Sequence, residues 1–152
     1  VDNIQQCILR GDEIRALSWK QPFASAMLAG KIETRTWATK YRGLVLICTS
    51  LQAYSEEIED KLCGKDLYRS LLRVLGSQLD TLDHNGFAIA IGRLVDCFPM
   101  QPVHEEKCFV QWRQGLYCHV YSDVRKIQPF RWKGSQGWRV VDPETRKLIK
   151  LI

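Results

Sequence analysis

The stretch LSWKQPFASAMLAGKIETRTWATKYRG, residues 17–43, changes its period within a few turns of chain. It opens on the end of a short strand candidate, Ile14–Trp19. Pro22 then suits the first position of a helix, where its missing N–H costs nothing. Phe23, Ala26, Met27 and Leu28 supply an apolar face and Gly30 a C-terminal stop, so the spacing predicts a short helix over 21–29. From Lys31 to Trp37 the period becomes two. Ile32, Thr34 and Thr36 fall on one side of an extended segment, and Glu33, Arg35 and Trp37 on the other.

Outward from this stretch, strands outnumber helices. Leu44–Thr49 is a continuous apolar run, the mark of a strand buried on both faces. Residues 54–76 carry Ile58, Leu62, Leu67, Leu71, Leu72 and Leu75 at helical spacing, interrupted near Gly64. Gly76–Gly86 reads as a polar loop. Phe87–Phe98 reads as a long strand with Gly92 at a bulge, ended by Pro99 and Pro102. Val103–Gln114 has room for a short helix. Tyr117–Ile127 alternates as a strand, Pro129–Gly137 is a turn-rich loop, and Trp138–Val141 is a last strand. The tail ETRKLIKLI suits a strand or a short helix, and residues 1–13 an arm or a short helix. Strands and helices do not alternate regularly, which excludes a doubly wound sheet. The expectation is an α+β fold: a small barrel-like sheet flanked by short helices, forming one domain over residues 14–152 behind an N-terminal arm.

Composition narrows the class. The chain has 152 residues, 45% hydrophobic and 26% charged, as in ordinary globular proteins. No apolar run approaches the roughly 18 residues of a membrane span. The start lacks the basic-then-apolar pattern of a secretory signal, so the expectation is a cytoplasmic protein without a membrane partner. Cys7, Cys48, Cys63, Cys97, Cys108 and Cys118 are scattered without paired spacing. That pattern predicts reduced thiols, buried for Cys48 and Cys97, with no disulfide framework, no metal site and no cofactor.

The net charge is +5, and it is concentrated at the two ends. Residues 20–43 hold Lys20, Lys31, Arg35, Lys40 and Arg42 against Glu33. Residues 125–150 hold Arg125, Lys126, Arg131, Lys133, Arg139, Arg146, Lys147 and Lys150 against Asp142 and Glu144. The middle is net acidic. Two basic segments converging on one face would make an anion-binding patch.

The opening stretch has the chemistry for such a patch. A helix starting near Pro22 leaves free backbone N–H groups that favour an anion, with Lys20 beside them and Gln21 able to read a base edge. Glu33 and Arg35 share a strand face with Trp37, where a guanidinium can pair bidentately and an indole can stack a base. Lys40 and Tyr41 follow on the turn. Near the other end, QPFRWKGSQGWR interleaves Arg131 and Lys133 with Phe130, Trp132 and Trp138, a composition suited to single-stranded nucleic acid. Of the two tryptophans, Trp132 is expected to be exposed, with Trp138 able to pack in the core. His119, between Tyr117 and Tyr121, reads as a structural strand histidine.

The run LSWKQPFA, then LAGKIETRTW and KYRG, resembles the ASCH domain family of the PUA-like superfamily. RLVDC at 93–97 and HVYSDVRKI at 119–127 followed by Pro129-Phe130 are similar too, so the likeness spans most of residues 14–141. The resemblance implies a small PUA-like β-barrel with a basic cleft for single-stranded RNA or a nucleoside-like ligand, in RNA metabolism. Lys20, Gln21, Lys31, Glu33, Arg35, Trp37, Lys40 and Tyr41 would line that cleft, with Arg131, Trp132 and Lys133 adding binding groups. Some branches of the family are hydrolases, either deacylating acetylated cytidine or cleaving RNA without a metal. On that alternative Lys31, Glu33 and Thr34 would carry catalysis, although no glutamate stands between Phe87 and Met100, where the deacylating branch has one. A third reading is a non-catalytic module whose patch docks an acidic protein.

Overall fold

The computed structural model describes residues 2–134 and 136–152, so Val1 of the expected arm and Ser135 of the expected loop lie outside the described residues. Its centre is strand β3, Gly43–Thr49, where Leu44 through Thr49 are all buried. Alternate side chains serve opposite cores. Val45 and Ile47 enter one and Leu44, Leu46 and Cys48 the other, which is why the run reads as uninterruptedly apolar. β1, Ile14–Trp19, lies parallel to β3, from Ile14 opposite Leu44 to Trp19 opposite Thr49. β4, Phe87–Pro99, runs antiparallel on the other side and pairs in turn with β5, Tyr117–Arg131. Two short strands are the edges: β2, Glu33–Arg35, on β5, and β6, Arg139–Val140, on β1. The order β2-β5-β4-β3-β1-β6 makes a curled, mixed half-barrel sheet.

The curl has a local cause. The register between β4 and β5 shifts between Ile91 and Arg93, at the expected Gly92 bulge. A Cβ on Gly92 would stand 3.0 Å from Val124 Cγ2, so the crossing is tight. The curl brings the two edges together. Arg35 on β2 donates to Ser18 O on β1 at 3.1 Å. Trp37, just past β2, meets Trp138, just before β6, edge to face at 5.8 Å.

Helices cover both faces. α1, Ile4–Arg10, is the short-helix form of the N-terminal segment, capped by Asn3 and seated through Ile4 and Cys7. Arg146 of α7, Pro143–Arg146, donates to Asp12 O and Ile8 O and so ties α7 to α1. The tail takes the short-helix form at α7, and beyond it Leu151 makes an isolated bridge to Ile127 without forming a strand. On the other face, Ser55 caps α3, Glu56–Cys63, and Gly64 at φ +78° separates it from α4, Lys65–Leu75. Both match the interrupted helical spacing. α6, Glu105–Cys108, is the short helix expected within 103–114.

Several boundaries differ from expectation. α2 spans only Phe23–Met27, with every residue buried, and Pro22 caps it rather than starting it. The expected polar loop at 76–86 holds a 3-10 turn and α5, Leu79–Leu82. β5 continues past Ile127 because Phe130 and Arg131 pair with Ala88 and Phe87, so part of the expected turn-rich loop is strand. All six cysteines are free, and Cys97 is half-buried where burial was expected. Among the described residues no helix is long and apolar enough to cross a membrane.

Candidate functional site

The period-two face of the KIETR segment folds into an ionic triad, buried at Lys31 and Glu33 and half-buried at Arg35. Ile32 N–H donates to Lys107 O at 2.9 Å, and Glu33, Thr34 and Arg35 pair with His119, Cys118 and Tyr117. Lys31 Nζ then reaches Glu33 Oε1 at 2.9 Å, with the two side chains 1% and 8% exposed. Nζ also donates to Ile32 O at 3.1 Å and lies 5.0 Å from the centre of the Phe23 ring. Arg35 takes the second Glu33 oxygen at 3.0 Å and lies over the Trp19 ring, 4.8 Å from its centroid. Burial pushes the Glu33 carboxyl up, but the Lys31 and Arg35 charges outweigh it and hold the group below its ordinary value.

This triad floors a cleft of about 710 Å³. Trp19 and Phe23 sit beside the triad, Thr34, Thr36 and Trp37 continue β2 along one wall, and Tyr54 adds an aromatic edge. The facing wall is the loop after α6, with Gln111, Trp112 and Arg113. Lys20, Lys61 and Arg113 are exposed cations at the margin, and Glu33 is the one carboxylate among the lining residues. Trp19 Nε1 and Arg35 Nε are buried donors without an acceptor among the described residues. Chemically the cleft offers flat apolar walls and an excess of donors, the complement of an anionic ligand with a planar ring. No cluster of three or more His, Cys, Asp or Glu able to hold a metal occurs among the described residues.

Six of the expected site residues meet here: Lys20, Lys31, Glu33, Thr34, Arg35 and Trp37. Gln21 does not. It is buried, its Oε1 accepts from Ser25 N, and its Nε2 donates to Ser25 Oγ and Thr81 O. This corrects the expected anion pocket at the helix start: the first-turn N–H of Ser25 is already capped, and five buried residues leave no open terminus. Lys40 is exposed and does not line the cleft. Tyr41 is turned outside it, donating to Leu44 O at 2.7 Å beneath the Arg15 guanidinium, and burial pushes its phenol up to about 12. Its hydroxyl proton is committed to the Leu44 carbonyl outside the cleft.

The basic-aromatic residues Arg131, Trp132 and Lys133 do not line this cleft. Trp132 is 8% exposed, correcting the expectation that it faces solvent, and packs in the second core under Arg139. Arg131 covers Phe87, and Lys133, like Arg131, lies outside the cleft lining. That segment contributes Gln136 and Gly137 instead. The overlooked group is Gln111-Trp112-Arg113, which carries the same signal, an aromatic beside a cation, in a stretch read only as a possible helix. The half-buried Trp138 braces Trp37 and Tyr41.

His119 is structural. It is fully buried, and its Nε2–H donates to the Trp37 carbonyl at 2.9 Å, which sets the tautomer. Burial lowers its pKa. Cys108 and Cys118 face each other at 3.8 Å, both with thiols pushed up by burial. Neither a family model nor a curated protein matches the chain.

Proposed function

We propose that the protein is an ASCH-like member of the PUA-like superfamily and binds single-stranded RNA or a modified nucleoside in this cleft. One observation carries the reading: a Lys31–Glu33–Arg35 triad, buried at Lys31 and Glu33, floors a cleft with indole walls and exposed cations at its margin. Rings stack bases, exposed cations hold phosphates, and the triad fixes the floor. The curled sheet and the run LSWKQPFA…GKIETRTW agree with it.

Binding is favoured over hydrolysis by what Lys31 does. Its ammonium is directed to Glu33, Ile32 O and the Phe23 ring. A lysine engaged this way positions Glu33 and has its amine turned to partners already in the floor rather than left open for a substrate. The test is an electrophoretic shift with short single-stranded RNA across a salt series, with acetylated cytidine followed in parallel by mass spectrometry. The expected result is a shift that weakens steeply with salt and no turnover. Turnover lost on Thr34→Ala would install the hydrolase instead. Neither signal, with capture of an acidic peptide, would make the cleft a protein-docking patch.

A further inference from the structure

The facing wall of the cleft is built more firmly than a loop needs to be. Gln111 N–H donates to Leu62 O at 3.0 Å, and Met100 N–H donates to Leu116 O at 2.9 Å. Between them Trp112 is pinned twice. Its backbone N–H donates to Glu105 Oε2 at 2.6 Å and its indole N–H to Met100 O at 2.9 Å. The ring is thereby held in one orientation while 41% exposed. A fixed, bare indole beside a cleft loses little freedom when a flat group lies on it.

Arg113 follows at once on the same wall. It is exposed and has no carboxylate or carbonyl partner among the described residues, Glu105 being engaged by the Trp112 backbone. Lys20 has only the Tyr54 ring at 5.2 Å, and Lys61 has only an exposed contact to Glu57 at 3.5 Å. Both oxygens of Glu33 are occupied by Lys31 and Arg35. Every uncommitted charge in the cleft is therefore a donor. A neutral nucleoside would leave these cations unanswered, whereas a phosphate answers them.

Resting on the nucleic-acid reading above, we propose that the cleft takes a phosphate-bearing nucleotide unit in preference to a free nucleoside. Its base stacks on Trp112 and its phosphate is held by Arg113 with Lys20 and Lys61. The test is calorimetric titration at low salt with the four ribonucleosides, their 5′- and 3′-monophosphates and inorganic phosphate. At least one monophosphate is expected to bind about tenfold or more tightly than its own nucleoside. Arg113→Ala shrinks that difference by lowering monophosphate affinity more than nucleoside affinity. Trp112→Ala weakens both ligands, and Trp112→Phe restores them. Thermal melting confirms that each variant is folded. Equal affinity for nucleoside and monophosphate, inorganic phosphate binding as tightly as the nucleotide, or an unchanged Arg113→Ala each overturns this inference while leaving the nucleic-acid reading standing. No binding of any nucleoside, nucleotide or single-stranded RNA overturns both.

Discussion

At the scale of single residues the molecule turns on Glu33. A buried carboxylate is tolerated only when its oxygens are matched, and here two cations match them. Removing one partner is worse than removing the pair. Lys31→Met leaves Glu33 with Arg35 alone and is expected to cost about 3–5 kcal/mol in urea unfolding. The pH dependence follows from the direction of the Glu33 shift. Its folded value lies below the ordinary 4.5. The stability it contributes is complete above the unfolded value and is lost as pH falls through the folded one. Glu33→Gln should therefore lower stability at neutral pH and flatten the acid limb of the stability curve. A variant with the same acid slope as the parent would show that other carboxylates set that limb. The shared face of Glu33 and Arg35 was legible from the period of two. The role of Lys31 was not, because it precedes the paired part of the strand and no pattern rule says where its amine goes.

At the scale of elements, two junctions hold the cleft in shape. Gly64 divides α3 from α4 in a conformation that L residues avoid, and a Cβ there would stand 2.4 Å from Gln111 Nε2. Gly64→Ala is expected to cost about 1–3 kcal/mol and to displace Gln111, so a thermal melt and a ligand titration should both move. The other junction is the Gln21–Ser25–Thr81 network, which joins α2 to α5 through buried hydrogen bonds. Gln21→Leu leaves Ser25 N–H unsatisfied and should cost about 1–3 kcal/mol in chemical denaturation. The break at Gly64 was visible in the sequence because glycine interrupts helical spacing. The network was not, since its partners lie far apart in the chain. The same gap explains the choice between two aromatic-basic segments. FRWK and QWRQ look alike, and what separates them is that β5 runs on to Arg131 and carries Trp132 into the second core.

At the scale of the whole molecule, the expected convergence of two basic segments is only half realised. The N-terminal segment supplies Lys20, Lys31 and Arg35 to the cleft, joined by Lys61 and Arg113 from between the two segments, but the C-terminal cations are largely committed elsewhere. Arg146 ties down α1, Arg139 lies over Trp132, and Lys126 pairs with Asp80. Net charge by segment shows where cations are in the chain, not which of them are free. The apolar runs that place β3 and β4 in the sheet and the alternation that places β5 were readable, while the curl that joins the two edges depends on bulge geometry and long-range contacts. The join between those edges is made by the Arg35–Ser18 hydrogen bond and the Trp37–Trp138 contact. Truncating Trp138 to Ala should lower the melting temperature by several degrees, about the response to a lost aromatic pair and its burial. Side chains swing apart more easily than a backbone ladder unzips, so this half-barrel has a soft side, and the floor of the cleft lies along it. Amide protons of Glu33–Arg35 should therefore exchange with solvent through small openings, long before those of Leu44–Cys48, and a ligand seated across the gap should slow that exchange without touching the rest of the sheet.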